Sequence, residues 1–290
     1  MKKSESVGEL AKRTMRNVEI VDYIVKWLDK YRGIASSNGF IVGISGGIDS
    51  ALVSTLCAKT YRKVIAISMP MYIMPIMYGE KNPAHAHLKW LTDYFPNVEI
   101  KEIDLTDAFQ EFYYNSIKPH IFLGENDIVM ANAMSRFRMM ALYAIANHNN
   151  MLVVGTGNKV EDFGVGFYTK YGDGGVDISP IADLMKSEVR ELAKHLNIIP
   201  DIINAAPTDG LWEDGRTDED QIGATYDELE WAMNLYEEYK IYTPINVIPV
   251  IDIELSKRQI EILNIYNKRH NTNQHKMNPI PICKIPERLK

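Results

Sequence analysis

Residues 40–50 read Phe40-Ile41-Val42-Gly43-Ile44-Ser45-Gly46-Gly47-Ile48-Asp49-Ser50, an apolar run that breaks into glycine and serine. A continuous apolar run of this kind is the pattern of a strand buried on both faces of a parallel sheet. The glycines let the backbone approach an anion closely. A helix starting near residue 49 would add free N–H donors and a favourable dipole. Ser45 and Ser50 contribute hydroxyl donors. Asp49 would repel a bare phosphate, so its sensible place is on a Mg²⁺ that bridges the phosphate. The bland alternative is a glycine turn in which Ser50 or Asp49 merely caps the helix. No Lys precedes Ser50, so this is not the Walker pattern.

Working outward, strands and helices alternate. Apolar residues at helical spacing from Leu10 to Leu28 predict a helix over 8–32, stopped by Gly33. A helical pattern resumes over 49–60, and Val64 to Pro70 reads as a second buried strand. A helix follows over 83–94, a strand over 98–105, helical stretches over 106–117 and 127–147, and a strand over Met151–Thr156. Residues 183–196 form a strongly patterned helix. The alternation predicts an α/β fold: one doubly wound, Rossmann-like parallel sheet flanked by helices. Ligands of such sheets lie beyond the carboxyl ends of the strands, where Ser45, Ser68 and Thr156 fall. Beyond Pro200 the text is mixed: an acidic loop over 209–221, helices near 225–240 and 255–269, and a polar, proline-containing tail from Asn271.

Composition narrows the classes. The chain has 290 residues, 46% hydrophobic and 24% charged, which is ordinary for a globular domain. No apolar run approaches the roughly 18 residues of a membrane span, and the polar start lacks the core of a signal peptide. Cys57 and Cys283 show no metal-type spacing. The expected location is the cytoplasm. A net charge of −6 disfavours a dedicated nucleic-acid binder. His85 and His87 alternate beside Pro83, but no third ligand completes a metal site, and a surface or helix-start role is the plainer reading.

A second segment narrows the chemistry. Gly155-Thr156-Gly157-Asn158-Lys159-Val160-Glu161 is followed by Phe167-Tyr168-Thr169-Lys170-Tyr171-Gly172-Asp173-Gly174-Gly175-Val176-Asp177. It is glycine-rich and mixes hydroxyl, acidic and lysine groups, and connections of this length tend to be functional. Glu161 is a candidate second Mg²⁺ ligand, with Asp162 beside it as the alternative. Lys170 and Asp177 read as polar selectors or as plain surface charge.

Residues 43–50 resemble the SGGxDS pyrophosphate loop of the N-type ATP pyrophosphatases. Thr169 to Gly175 is similar to the signature of ammonia-dependent NAD⁺ synthetases. That similarity continues through Asn132–Met139, Pro207–Leu211 and His275-Lys276, in one order over roughly residues 15 to 281. The resemblance implies that Gly43, Ile44, Ser45, Gly46, Gly47, Ile48, Asp49 and Ser50 hold the ATP phosphates. It implies that Asp49 and Glu161 bind Mg²⁺, and that Thr156, Lys186 and Thr208 contact ATP. Arg136, Lys170, Asp177, His275 and Lys276 would contact deamido-NAD⁺, with Asn132 near the nicotinate end. Asp173 would orient or deprotonate the incoming nitrogen.

The resemblance further implies a homodimer acting on ATP, deamido-NAD⁺ and ammonia, with Asp49, Asp173 and Lys186 carrying the catalysis. No amidase domain fits before Ser45, so free ammonia is the expected donor. Two segments depart from the common form. After Thr156 the usual text is Asp-His-Ala-Ala-Glu, whereas this chain has Gly157-Asn158-Lys159-Val160-Glu161. Residues 71–87 carry Met71, Met74 and Met77 where polar residues are usual. Competing readings are another ligase of the same superfamily, such as a tRNA-lysidine synthetase, and a non-catalytic nucleotide-binding protein. The first would need basic RNA-binding surface, and the second would not need Asp49, Glu161 and Lys186 together.

Overall fold

The computed structural model describes residues 7–72, 83–120, 127–205, 217–239 and 254–290. Four parallel strands, β1 (Gly39–Gly43), β2 (Lys63–Ser68), β3 (Val98–Glu102) and β4 (Leu152–Val153), form one sheet in the order β3-β2-β1-β4. Phe40 faces Val64 on β2 and Leu152 on β4, and Val64 faces Val98. The chain adds β2 and β3 to one side of β1 and then returns to add β4 on the other. The carboxyl ends of β1 and β4 therefore flank a topological switch point, where open sheets form a crevice.

The pleat sorts the apolar run of β1 between two cores. Phe40 and Val42 join Val64, Leu52, Leu56, Leu91 and Leu192, while Ile41 joins Ile65, Ile67, Phe109, Leu142 and Val153. Alternate residues point to opposite faces of a strand, and both faces are covered by helices. One face carries α1 (Val7–Ile34), α2 (Ile48–Ala58) and α3 (Pro83–Tyr94). The other carries α4 (Thr106–Gln110), with its π-helical continuation to Ile117, and α5 (Asp127–Asn149). α6 (Lys186–His195) and the short α7 (Pro200–Ile203) complete the first face. Each fully buried Leu, Ile or Phe contributes about 1.5–3 kcal/mol.

A third core lies beyond the sheet. α8 (Asp218–Ile222), α9 (Tyr226–Tyr239) and α10 (Lys257–Met277) pack Ile222, Tyr226, Leu229, Met233, Ile262 and Tyr266 against Val160 and Val165. Val160 and Val165 bound a π-helical turn, a geometry often found at functional sites.

Most expected elements stand where the periodicity placed them. β3 and β4 are shorter than expected: the β2–β3 ladder stops at Ser68, where β2 ends, and the β1–β4 ladder covers only Phe40–Leu152 and Ile41–Val153. The tail expected from Asn271 is corrected: α10 continues to Met277. The apolar periodicity fades there, but Asn273 donates to the Val165 carbonyl at 2.8 Å and Lys276 to those of Gly166 and Tyr168 at 2.8 and 2.7 Å. Polar tertiary contacts hold the last two turns. The acidic stretch also gains structure, since the Thr217 hydroxyl accepts from the Asp220 N–H and opens α8.

Candidate functional site

The loop from Ile44 to Gly47 continues β1 into α2. Gly46 has φ 90°, a left-handed value that glycine tolerates freely, and a Cβ there would stand 3.2 Å from the Ala84 nitrogen on α3. Ser45 and Ser50 hold the turn closed. The Ser50 hydroxyl accepts from the Ser45 N–H at 3.3 Å and donates to the Gly47 carbonyl at 3.0 Å, and the two hydroxyls lie 3.1 Å apart. Gly47 occupies the N-cap of α2 with no side-chain cap. The bland reading of Ser50 or Asp49 as a cap therefore fails, and the first-turn N–H groups keep their capacity for an anion.

Asp49, in the first turn of α2, meets Lys186 at the start of α6. The Lys186 ammonium is 2.5 Å from Asp49 Oδ2 and 2.9 Å from Glu161 Oε1, with only 2% of the residue exposed. Ser187 fixes that helix start by donating its N–H and hydroxyl to Glu230 on α9, at 2.8 and 2.7 Å. Glu161 also accepts from the Tyr226 hydroxyl at 2.6 Å, and the Tyr226 ring lies under the ammonium at 4.7 Å. Asn158, fully buried, donates to Asp49 Oδ1 at 3.2 Å and accepts the N–H groups of Val160 and Glu161.

Burial opposes the charge on Lys186, but Asp49 and Glu161 outweigh it and hold the ammonium well above its usual range. Burial likewise pushes Glu161 up, and Lys186 with Tyr226 brings it below the ordinary carboxylate value. Asp49 is raised by burial, with Glu161 adding to it against the pull of Lys186.

The structure separates Glu161 from Asp162. Glu161 points to Lys186 and Tyr226, whereas Asp162 lines a cavity of about 170 Å³ with Gly157, Tyr168, Asp173, Ser179 and Lys276. Burial, then the neighbouring Glu161, Asp173 and Asp49, push Asp162 up to about 8.

Three further segments frame that cavity. Asp173 accepts from the Ser135 hydroxyl at 2.7 Å and the Thr169 N–H at 3.0 Å. Thr169 donates its hydroxyl to Asn132 at 2.6 Å, and Arg136 donates to the Lys170 carbonyl at 3.1 Å. Lys170 bonds the carbonyl of His275. Lys276 binds two loop carbonyls, and burial lowers its pKa. Thr156 stands half-buried between Gly155 and Gly157, which both line the cavity.

Asp177 is placed differently. Its carboxylate takes the Val153 N–H at 2.8 Å and the Tyr143 hydroxyl at 3.0 Å, tying the loop back to β4 and α5. Thr208 and the rest of Pro207–Leu211 lie outside the described residues, as do Met74 and Met77.

Sequence reasoning gave no role to Asn158, Tyr226 or Ser135. Asn158 sits in the segment that departs from the common form, which was a usable signal. Ser135 lies inside the Asn132–Met139 motif, also a usable signal, whereas Tyr226 had none, since only the packing of α9 brings it in. His87 is not a surface residue: it is fully buried, and its ring nitrogen Nε2 lies 2.9 Å from the Ser54 hydroxyl.

A Mg²⁺ takes hard oxygen ligands, commonly one or two carboxylates completed by substrate phosphates and water. Asp49 and Glu161 fit that requirement. They already share one cation, Lys186, two carboxylates to one ammonium. Among the described residues no group of three or more His, Cys, Asp or Glu that could hold a metal ion is found.

The family model described as NAD synthase matches residues 20–279. The NH(3)-dependent NAD(+) synthetase of Methanocaldococcus jannaschii is 36% identical over 92% of this chain and 97% of its own length. That of Mesoplasma florum is 39% identical over 73% of this chain and 82% of its own. Among solved structures, NMN synthetase from Francisella tularensis superposes with a TM-score of 0.75 at 31% identity, covering 93% of this chain and 98% of that one. The NH3-dependent NAD synthetase of Campylobacter jejuni gives 0.69 at 25% identity, covering 92% and 99%.

Proposed function

The chain belongs to the NAD synthase family, and on that premise we propose how its residues divide the work of ammonia-dependent NAD⁺ synthesis. It is a ligase that forms a C–N bond between a nicotinate carboxylate and ammonia at the expense of ATP. The observation that carries this reading is the junction of Asp49, Glu161 and Lys186 at the end of a serine–glycine loop whose helix is uncapped.

A carboxylate is a poor electrophile. Attack of a nicotinate oxygen on the ATP α-phosphorus forms the acyl adenylate and expels pyrophosphate. Ammonia then attacks the acyl carbon, loses a proton and displaces AMP. The N–H groups of residues 44–50 and the Ser45 and Ser50 hydroxyls bind the phosphates. Asp49 and Glu161 hold Mg²⁺, which when bound supplies charge neutralisation for the departing pyrophosphate. Lys186, held at the same place, supplies a cation to the phosphates, and Thr156 and Thr208 bind ATP beside it.

The acceptor is assigned to the other side. Lys170, Lys276 and Arg136 attract its phosphates, Asn132 and His275 stand at its ends, and Asp173 orients the nitrogen. Asp177 positions the loop through β4. The whole chain is read as one catalytic domain working as a cytoplasmic homodimer. Exposed Phe112, Ile117 and Met140 supply apolar surface for a second copy, and sedimentation at micromolar concentration distinguishes dimer from monomer. Among the described residues no helix is long and apolar enough to cross a membrane.

A second acceptor follows from the similar Francisella protein, whose name specifies NMN as product. The deciding experiment incubates the protein with ATP, Mg²⁺ and ammonium and either nicotinate dinucleotide or nicotinate mononucleotide, then separates the products. NAD⁺, AMP and pyrophosphate in equal amounts support the dinucleotide reading. Preferential formation of NMN moves the activity to the mononucleotide. No amide from either removes the assignment.

A further inference from the structure

Four carboxylates gather at this end of the sheet, and three are engaged. Asp49 and Glu161 take Lys186, and Asp173 takes Ser135 and Thr169. Among the described residues no hydrogen bond or ion pair reaches the carboxylate of Asp162, although it lines the cavity. Its position is sterically specific. A Cβ added at Gly157 would fall inside the Asp162 carboxyl group, so residue 157 must lack a side chain for Asp162 to sit where it does. In the common form of this segment residue 157 is itself aspartate. The side-chain space beside Gly157 is filled here by the Asp162 carboxyl, sent from the π-helical turn.

The cavity is smaller than the roughly 300 Å³ or more that accepts a drug-sized ligand, so it suits a small ion better than a nucleotide. The free acceptor on its wall is the Asp162 carboxyl. The one cationic side chain on its wall, Lys276, is committed to the carbonyls of Gly166 and Tyr168. A carboxylate with spare acceptor capacity in such a space calls for a compact donor. Ammonium, with four N–H groups and a positive charge, matches it.

We propose that Asp162 is a positioning residue for the nitrogen nucleophile, its carboxylate occupying the side-chain space of position 157 and holding ammonium in the cavity. The proposal rests on the functional reading above and adds to it the residue that recognises the nucleophile.

The test compares wild type with Asp162→Ala, Asp162→Asn and the double exchange Gly157→Asp/Asp162→Ala, varying ammonium at saturating ATP and acceptor. Asp162→Ala and Asp162→Asn should raise KM for ammonium about tenfold or more while KM for ATP moves less than about twofold. The double exchange, which returns the carboxylate to the same space from the other residue, should bring KM for ammonium back to within about threefold of wild type. Acceptor-dependent exchange of pyrophosphate into ATP, measured without ammonium, should persist in every variant.

An unchanged KM for ammonium in both single variants overturns the proposal. So does a parallel rise in both KM values that the relocated carboxylate fails to reverse. If the double variant does not fold, Asp162→Asn decides alone, since it keeps the shape and removes the charge. Absence of pyrophosphate exchange in the wild type would count against the adenylation reading itself, a failure distinguishable from that of Asp162.

Discussion

The phosphate side and the nucleophile side of this site are built in opposite ways. On the phosphate side one continuous stretch, residues 40–50, makes strand, turn and helix start, and its polar side chains Ser45, Ser50 and Asp49 are held locally or by Lys186. On the nucleophile side Asp162, Asp173 and Lys276 arrive from a π-helical turn, a glycine loop and the last turn of α10. The first is rigid because the sheet dictates it. The second is assembled by packing, and one of its carboxylates is left for a ligand. A group already paired is there to hold charge in place, and a group left unpaired is there to meet something.

The sharpest way to break the comparison is at Asp49. Asp49→Asn keeps the shape but removes the charge that pairs with Lys186 and that the proposed Mg²⁺ would need, and kcat/KM should fall by about 10³-fold, with circular dichroism unchanged. A loss below tenfold would show that the phosphate side does not depend on its carboxylate.

Lys186→Met tests the same side for stability. It leaves Asp49 and Glu161 buried without their cation, and removal of one partner of such an arrangement costs about 3–5 kcal/mol. Urea unfolding with an unchanged m-value should report it, and added Mg²⁺ should recover part of the loss. If stability stays within 0.5 kcal/mol or so, the ion pair is not what organises this end of the sheet.

A smaller effect, about 3 kcal/mol at most, belongs to His87 beneath the loop. Burial lowers its pKa from 6.5 to about 4. The folded protein therefore favours neutral His87, while the unfolded chain takes up a proton below pH 6.5. The stability it contributes is full above that value and lost as pH falls toward 4. Thermal midpoints between pH 7 and 4 should decline less steeply in His87→Gln than in wild type. Identical slopes would place the acid sensitivity in other groups.

The sequence was legible where structure is local. The apolar run of β1, the glycines after it and the periodicity of α2 and α3 follow from residue order alone, and so did the pairing of Asp49 with a carboxylate near 161. What was illegible depends on three-dimensional neighbours. Nothing near Tyr226 announces that its hydroxyl meets Glu161. The extension of α10 beyond Asn271 rests on side-chain bonds to carbonyls more than 100 positions earlier in the chain. Of the two adjacent acids the sequence favoured Glu161 as the metal carboxylate, but residue order could not show where each points. The π-helical turn sends Glu161 to Lys186 and Asp162 to the cavity.

The claim beneath all of this is that residues 44–50 grip the polyphosphate of ATP while Asp49 and Glu161 share its metal. A crystal grown with Mg²⁺ and a non-hydrolysable ATP analogue tests it directly. The account places the phosphate oxygens within hydrogen-bond distance of the N–H groups and hydroxyls of the Ser45–Ser50 turn, with the ion between the two carboxylates. A triphosphate bound elsewhere with that turn empty, or an ion held by Asp162 and not Glu161, would contradict it.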